Sequence, residues 1–165
     1  DVTEEKAHDA CLGLLMLTDF TDKEPPYEPI TFYLSTYGGS ADEMFSIYDM
    51  MCLTKTKCEI HTIGLGKVMS AGTLLLAAGT KGKRKIGRHC RVMIHSVAAG
   101  SAGELHDIEN EISSIKHIQE LYINALSKET HMTKRTIQKL LDRKVNVYLT
   151  AEEALEYGIA DEIIN

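Results

Sequence analysis

Ser70, His95 and the pair Gly38–Gly39 are the residues whose types and neighbours suit chemistry on a carbonyl carbon. Ser70 lies in GKVMSAGTLLLAAG, residues 66–79, where an extended pattern gives way to a helical one. The first backbone N–H groups of a helix are unpaired and carry its positive end. A serine there can present its hydroxyl while adjacent amides point at the same spot, which suits a nucleophile beside an oxyanion hole. It can equally be an N-cap and nothing more. The G-x-S-x-G elbow is absent, because position 68 is Val. In Tyr37-Gly38-Gly39-Ser40, two glycines between strand and helix let the backbone approach a ligand and aim N–H groups at an anion, or they make a plain turn. No G-x-G-x-x-G or Walker pattern accompanies them. His95 ends the apolar strand RVMIH, the place where α/β folds put function, though a histidine there can also be structural.

Other candidates fall away. The chain has 7 histidines, and none besides His95 has a chemical context; His61 reads as a strand residue and His106, His117 and His131 as surface or interface residues near a long helix. No metal spacing occurs, so no metal and no other cofactor is expected. The 4 cysteines, Cys11, Cys52, Cys58 and Cys90, form no C-x-x-C pair and read as free, mostly buried thiols of a reducing intracellular compartment, the cytoplasm being the expectation. The basic run KGKRKIGRHCR, residues 81–91, lacks interleaved aromatics and reads as a solvated loop rather than an RNA patch.

The elements that must position Ser70 and His95 follow from periodicity. A short helix spans about Glu4 to Leu17, and a loop holding all 3 prolines, TDKEPPYEP, follows. TFYLS (31–35) reads as a strand. Ser40 and Glu43 then make a capping box for a helix with Met44, Ile47, Tyr48 and Met51 on one face. A second strand runs from about Glu59 to Leu65, ending at Gly66; a helix of small apolar residues covers about Ser70 to Ala78; a third strand is Arg91 to Ile94. This alternation with short connections predicts an α/β fold with a largely parallel sheet. From Gly103 to about Ser127 there is neither Gly nor Pro after the start, and Leu105, Ile108, Ile112, Ile115, Ile118, Tyr122 and Ala125 mark one face. Such a helix spans roughly 35 Å, against a radius of gyration near ~15 Å for a globule of this length. One end must project, and its apolar stripe predicts an oligomerisation element. A helix over about Lys134 to Arg143, an extended run Val145–Leu149, a helix capped by Thr150 and Glu153 and stopped at Gly158, and a strand over Ile159–Ile164 complete the chain.

Composition bounds the rest. At 165 residues with 44% hydrophobic and 25% charged positions, the sequence has the size and apolar content of one globular domain, residues 1–165. A net charge of −6 argues against a phosphate-tracking nucleic-acid binder. No apolar run approaches the ~20 residues of a membrane span. The acidic start, DVTEEKAHD, does not read as a secretory signal.

Four segments in order resemble the proteolytic subunit of the Clp protease: YGGSADEMFSIYDMM its glycine loop and following helix, SAGTLLLAAGTKGKR the stretch after its nucleophile, RVMIH its histidine strand, and LTAEEALEYGIAD its C-terminal signature. The resemblance covers the chain from Thr31 onward. It implies a crotonase-like spiral of ββα units with a projecting helical handle, here about 96–132. It implies a homo-oligomer of two stacked heptameric rings, a tetradecamer, enclosing the active sites. Peptide or unfolded-protein substrate would be delivered by an AAA+ unfoldase for ATP-dependent proteolysis. Carried over residue by residue, it makes Ser70 the nucleophile, His95 the general base, and Gly39 and Ala71 the oxyanion-hole amides. Tyr33 and Leu53 fall where the family docks its unfoldase.

The sequence departs from the family at the third catalytic position. The family has Asp five residues before the alanine of its TAEEA-like signature; here that alanine is Ala151 and the position holds Asn146. Asn can orient an imidazole by hydrogen bonding but supplies no negative charge. Asp142, expected at a helix end, is the alternative partner. Tyr37 replaces the family's proline, Val145 an arginine, and Ser96-Val97 the Gln-Pro that starts the substrate-aligning strand. The family's N-terminal axial loop is expected to be short or absent. Three expectations compete: a Clp-type serine endopeptidase tuned by Asn146, a weak or inactive ring subunit, and an acyl-CoA enzyme of the crotonase class. The last class mostly uses carboxylates rather than a Ser/His pair.

Overall fold

The computed structural model describes residues 1–19, 27–100 and 102–165. The proline loop expected over 21–29 therefore falls largely outside the described residues. Helix α1 (Glu4–Thr18) is capped by Thr3, whose side chain accepts from Lys6 N. Strand β1 (Ile30–Thr36), helix α2 (Ala41–Thr54), strand β2 (Ile60–Met69) and helix α3 (Ala71–Ala77) follow. Next come β3 (Arg84–Gly87), β4 (Arg91–Ile94), α4 (Leu105–Glu129), α5 (Lys134–Leu141), β5 (Val147–Leu149), α6 (Ala151–Glu156) and β6 (Glu162–Ile164). The strands form one mixed, curled sheet of six, ordered β5-β4-β2-β3-β6 with β1 also on β2. Every pairing is parallel except β4 with β5. The expected α/β architecture is present.

β2 is the hub, and it corrects the expected strand end. It does not stop at Gly66 but turns there with φ 66 and continues to Met69. Only glycine takes that conformation without cost. Before the turn β2 pairs with β3; after it, Lys67–Met69 pairs with β4. The register with β1 shifts over the same stretch. The bend thus carries the end of β2 beside β4, and Ser70 beside His95.

The run 81–91 is corrected as well. It is not a solvated loop: Arg84–Gly87 is a strand between β2 and β6, and Arg84 is only 2% exposed. Its guanidinium grips Asp161, Nε to Oδ2 at 2.8 Å and Nη2 to Oδ1 at 2.5 Å, and donates from Nη1 to the Glu129 carbonyl at 2.6 Å. A buried charge paired and hydrogen-bonded in this way is tolerated inside a protein.

α3 is the centre of the core. All seven of its residues are buried, and it packs against β2, α2 and α4. Full burial of Leu74, Leu75 and Leu76 stabilises the fold by roughly 1.5–3 kcal/mol per side chain. α4 is different. Only Tyr122, Ile123, Leu126 and Glu129 of its 25 residues are buried, all in its C-terminal part. Leu105 and Ile112 are exposed, so the N-terminal end stands away from the core as its length required. The expected box at Ser40 is half made: Ser40 Oγ accepts from Glu43 N, but Ser40 N donates to Val2 O. The box at Thr150–Glu153 is complete.

Candidate active site

Ser70 occupies the single-residue turn between β2 and α3, with φ 54 and ψ −119. A non-glycine residue held in this region is strained, and such strain concentrates at functional sites. The turn is pinned on both sides: Ser70 N donates to Met93 O at 2.8 Å, and Thr73 Oγ1 to the same carbonyl at 3.0 Å. The serine side chain does not cap α3. Its hydroxyl lies instead 2.8 Å from His95 Nε2. The two residues are 25 apart in sequence and meet because β2 and β4 are neighbours that end together.

The glycine loop closes the other side. Gly38 carries φ 101, and a Cβ on it would lie 2.6 Å from Ser70 Cβ. A Cβ on Gly39 would lie 2.2 Å from Val2 O. The chain start bridges to this loop, Val2 N donating to Gly38 O at 2.8 Å and Ser40 N to Val2 O at 3.0 Å. That pattern turns the Gly39 N–H to the opposite side. Among the described residues neither Gly39 N nor Ala71 N finds an acceptor. Both residues line the cleft that holds Ser70 and His95.

This cleft has a volume of about 330 Å³. Its described lining includes Met44, Val97, Ile118 and Tyr122 and contains no Asp, Glu, Lys or Arg. Tyr122 was legible in the sequence only as one apolar tooth of the long helix; nothing in the spacing showed that it would reach the cleft. Ser96 Oγ donates to Leu141 O, and Val97 N to Gln119 Oε1 at 3.3 Å, which ties the segment after His95 to α5 and α4.

Asn146 precedes β5 and is exposed. β4 and β5 pair Ile94 with Val147, so one further step of this antiparallel register sets Asn146 opposite His95. No hydrogen bond joins the two, and among the described residues no group bonds His95 Nδ1. Asp142 caps α5 and accepts from Gln138 Nε2 at 2.8 Å, so it does not serve the imidazole either. Tyr33 on β1 and Leu53 on α2 lie outside the cleft, 67% and 51% exposed. Among the described residues no group of His, Cys, Asp and Glu could hold a metal ion, and no helix is long and apolar enough to cross a membrane.

A strained serine at a strand–helix turn, hydrogen-bonded to an imidazole and flanked by two free amides, can attack an acyl carbon and hold the resulting oxyanion. The Clp protease family model matches residues 1–165. The chain belongs to the Clp protease family. It is 37% identical to the ATP-dependent Clp protease proteolytic subunit 1 of Prochlorococcus marinus (strain MIT 9312), over 99% of this chain and 80% of that protein. It is 36% identical to subunit 1 of Corynebacterium glutamicum, over 99% of this chain and 76% of that protein. With subunit 2 of Thermobifida fusca the identity is 34%, over 93% of this chain and 72% of that protein. The curled sheet with its helices fits the Clp protease fold.

Proposed function

We propose that this Clp protease family member is a serine endopeptidase subunit with Ser70 as nucleophile and His95 as general base. The observation that carries the reading is the 2.8 Å contact between Ser70 Oγ and His95 Nε2. In the proposed mechanism Oγ attacks the scissile carbonyl carbon while Nε2 takes its proton. The carbonyl oxygen, now an anion, accepts from Gly39 N–H and Ala71 N–H. His95 gives the proton to the leaving amine as the C–N bond breaks. Water then enters, loses a proton to His95 and cleaves the acyl ester, restoring the Ser70 hydroxyl.

Asn146 takes the third position in this reading; it stands opposite His95 in the strand register, makes no hydrogen bond to the imidazole and supplies no negative charge. The residues around about 96–132 act as a handle, and the exposed apolar face of α4 supports assembly of heptameric rings stacked into a tetradecamer. The relatives are named ATP-dependent, which supports an AAA+ unfoldase partner docking at Tyr33 and Leu53 and delivering unfolded protein. The expected compartment is the cytoplasm.

The second reading is a weak or inactive ring subunit that supports active paralogues. It is favoured by the absence of a hydrogen bond between Asn146 and His95. Hydrolysis of a fluorogenic peptide and of unfolded casein by the assembled protein separates the two. The peptidase reading expects turnover that Ser70→Ala abolishes; turnover equal to that of Ser70→Ala would leave the structural-subunit reading.

A further inference from the structure

Tyr122 comes from α4, is 6% exposed and lines the cleft beside Ser70 and His95. Among the described residues its hydroxyl has no hydrogen-bond partner, yet no fully enclosed side-chain polar atom there is left unpaired. The hydroxyl therefore borders accessible space, and the cleft is the cavity that Tyr122 lines. Tyr48 makes the contrast. It is buried as deeply, at 7%, and donates its hydroxyl to Glu129 Oε1 at 2.9 Å. The Tyr48 phenol is thus satisfied by a protein acceptor, whereas the Tyr122 phenol has none among the described residues.

Resting on the peptidase reading, we infer that the Tyr122 hydroxyl is a specificity determinant. It favours peptides whose side chain next to the scissile carbonyl is neutral, apolar along its stem and tipped by a hydrogen-bond acceptor, as glutamine is, over methionine of similar length. The walls formed by Met44, Val97 and Ile118 accept an apolar stem. A side chain that fills the cleft strips water from the phenol. An acceptor at its tip replaces the lost hydrogen bond, whereas a thioether leaves the hydroxyl unsatisfied. Sites built around a substrate hydrogen bond reject analogues lacking it strongly. A carboxylate is disfavoured, because an uncharged, largely apolar cleft replaces little of its hydration. Burial pushes the phenol well above the ordinary tyrosine range, so it remains a neutral donor.

The test measures binding, so that it does not depend on turnover. Fluorescein-labelled peptides identical except for Gln or Met at that position are titrated by anisotropy against assembled Ser70→Ala protein with Tyr122, Tyr122→Phe or Tyr122→Met. The Tyr122 protein is expected to bind the Gln peptide more tightly, and the Gln-to-Met affinity ratio to fall about tenfold in both variants. A ratio unchanged within twofold, tighter binding of the Met peptide by the Tyr122 protein, or no saturable binding of either would overturn the inference. Phe keeps the ring and its packing, and circular dichroism checks the fold of each variant. The peptidase reading fails separately, through absence of Ser70-dependent hydrolysis in the unsubstituted chain.

Discussion

Asn146 stands one register step beyond the Ile94–Val147 pair, opposite His95, with no hydrogen bond to the imidazole. Among the described residues the ring therefore meets Ser70 at Nε2 without a fixed partner at Nδ1. In a serine protease, Asp to Asn at the third position costs about 10⁴ in kcat, by favouring the wrong tautomer. Asn146→Asp is expected to accelerate reaction of Ser70 with a fluorophosphonate by at least about tenfold, a fraction of that span. Equal or slower labelling would mean that the missing charge does not limit the serine.

The contact between Gly38 and Ser70 gives a second prediction. A methyl group at Gly38 would sit 2.6 Å from Ser70 Cβ and 2.9 Å from Met69 O. The backbone there also has φ 101, which costs a side-chain-bearing residue of order 1–3 kcal/mol. Gly38→Ala is expected to lower the thermal midpoint and to slow Ser70 labelling at least about tenfold, since small misplacements of reacting groups are costly. Labelling at the unsubstituted rate would show that the loop does not set the serine.

Arg84 and Asp161 predict a stability effect with a definite sign in pH. Burial alone would raise the Asp161 carboxyl, but Arg84 and the amides of Arg84 and Gly82 outweigh it and hold it below its ordinary value of 3.8. A depressed pKa in the folded state contributes stability above the unfolded value, and this contribution is lost as pH falls through the folded one. Asp161→Asn strands a guanidinium whose residue is 2% exposed, and costs about 3 kcal/mol at pH 7 in urea titrations. Below about pH 4 the difference from the unsubstituted protein should shrink. A constant difference from pH 7 to pH 3 would contradict this account.

The thiols can be counted directly. Cys58 and Cys90 are buried; burial raises both thiols, that of Cys90 to about 11. Cys11 and Cys52 are half-buried. Iodoacetamide at pH 8 is expected to modify Cys11 and Cys52 in the native protein, and all four only after unfolding. Peptide mapping that finds Cys90 alkylated first would contradict the packing around β4.

Much of the site could be read from the chain because its parts sit at element ends. Ser70 interrupts a switch from extended to helical periodicity, and His95 follows Val92–Ile94, a short apolar run with two β-branched residues that fits a strand better than a helix. Long-range relations were not legible. β3 was hidden because Arg84 and Lys85 look solvated, and the partner that buries Arg84 is Asp161, 77 residues away. Gly66 read as a strand end because local sequence cannot distinguish a stop from a bend. Tyr122 read as part of the long helix's apolar stripe, an oligomerisation face, because its cleft is formed by α2, α4 and the segment after β4, which only tertiary structure brings together.

The most direct test of the central claim is the intact mass of the assembled protein after incubation with a fluorophosphonate. The account predicts one adduct per chain, mapped to Ser70 and lost in Ser70→Ala. A chain that stays unmodified, or one whose adduct persists in Ser70→Ala, would contradict it.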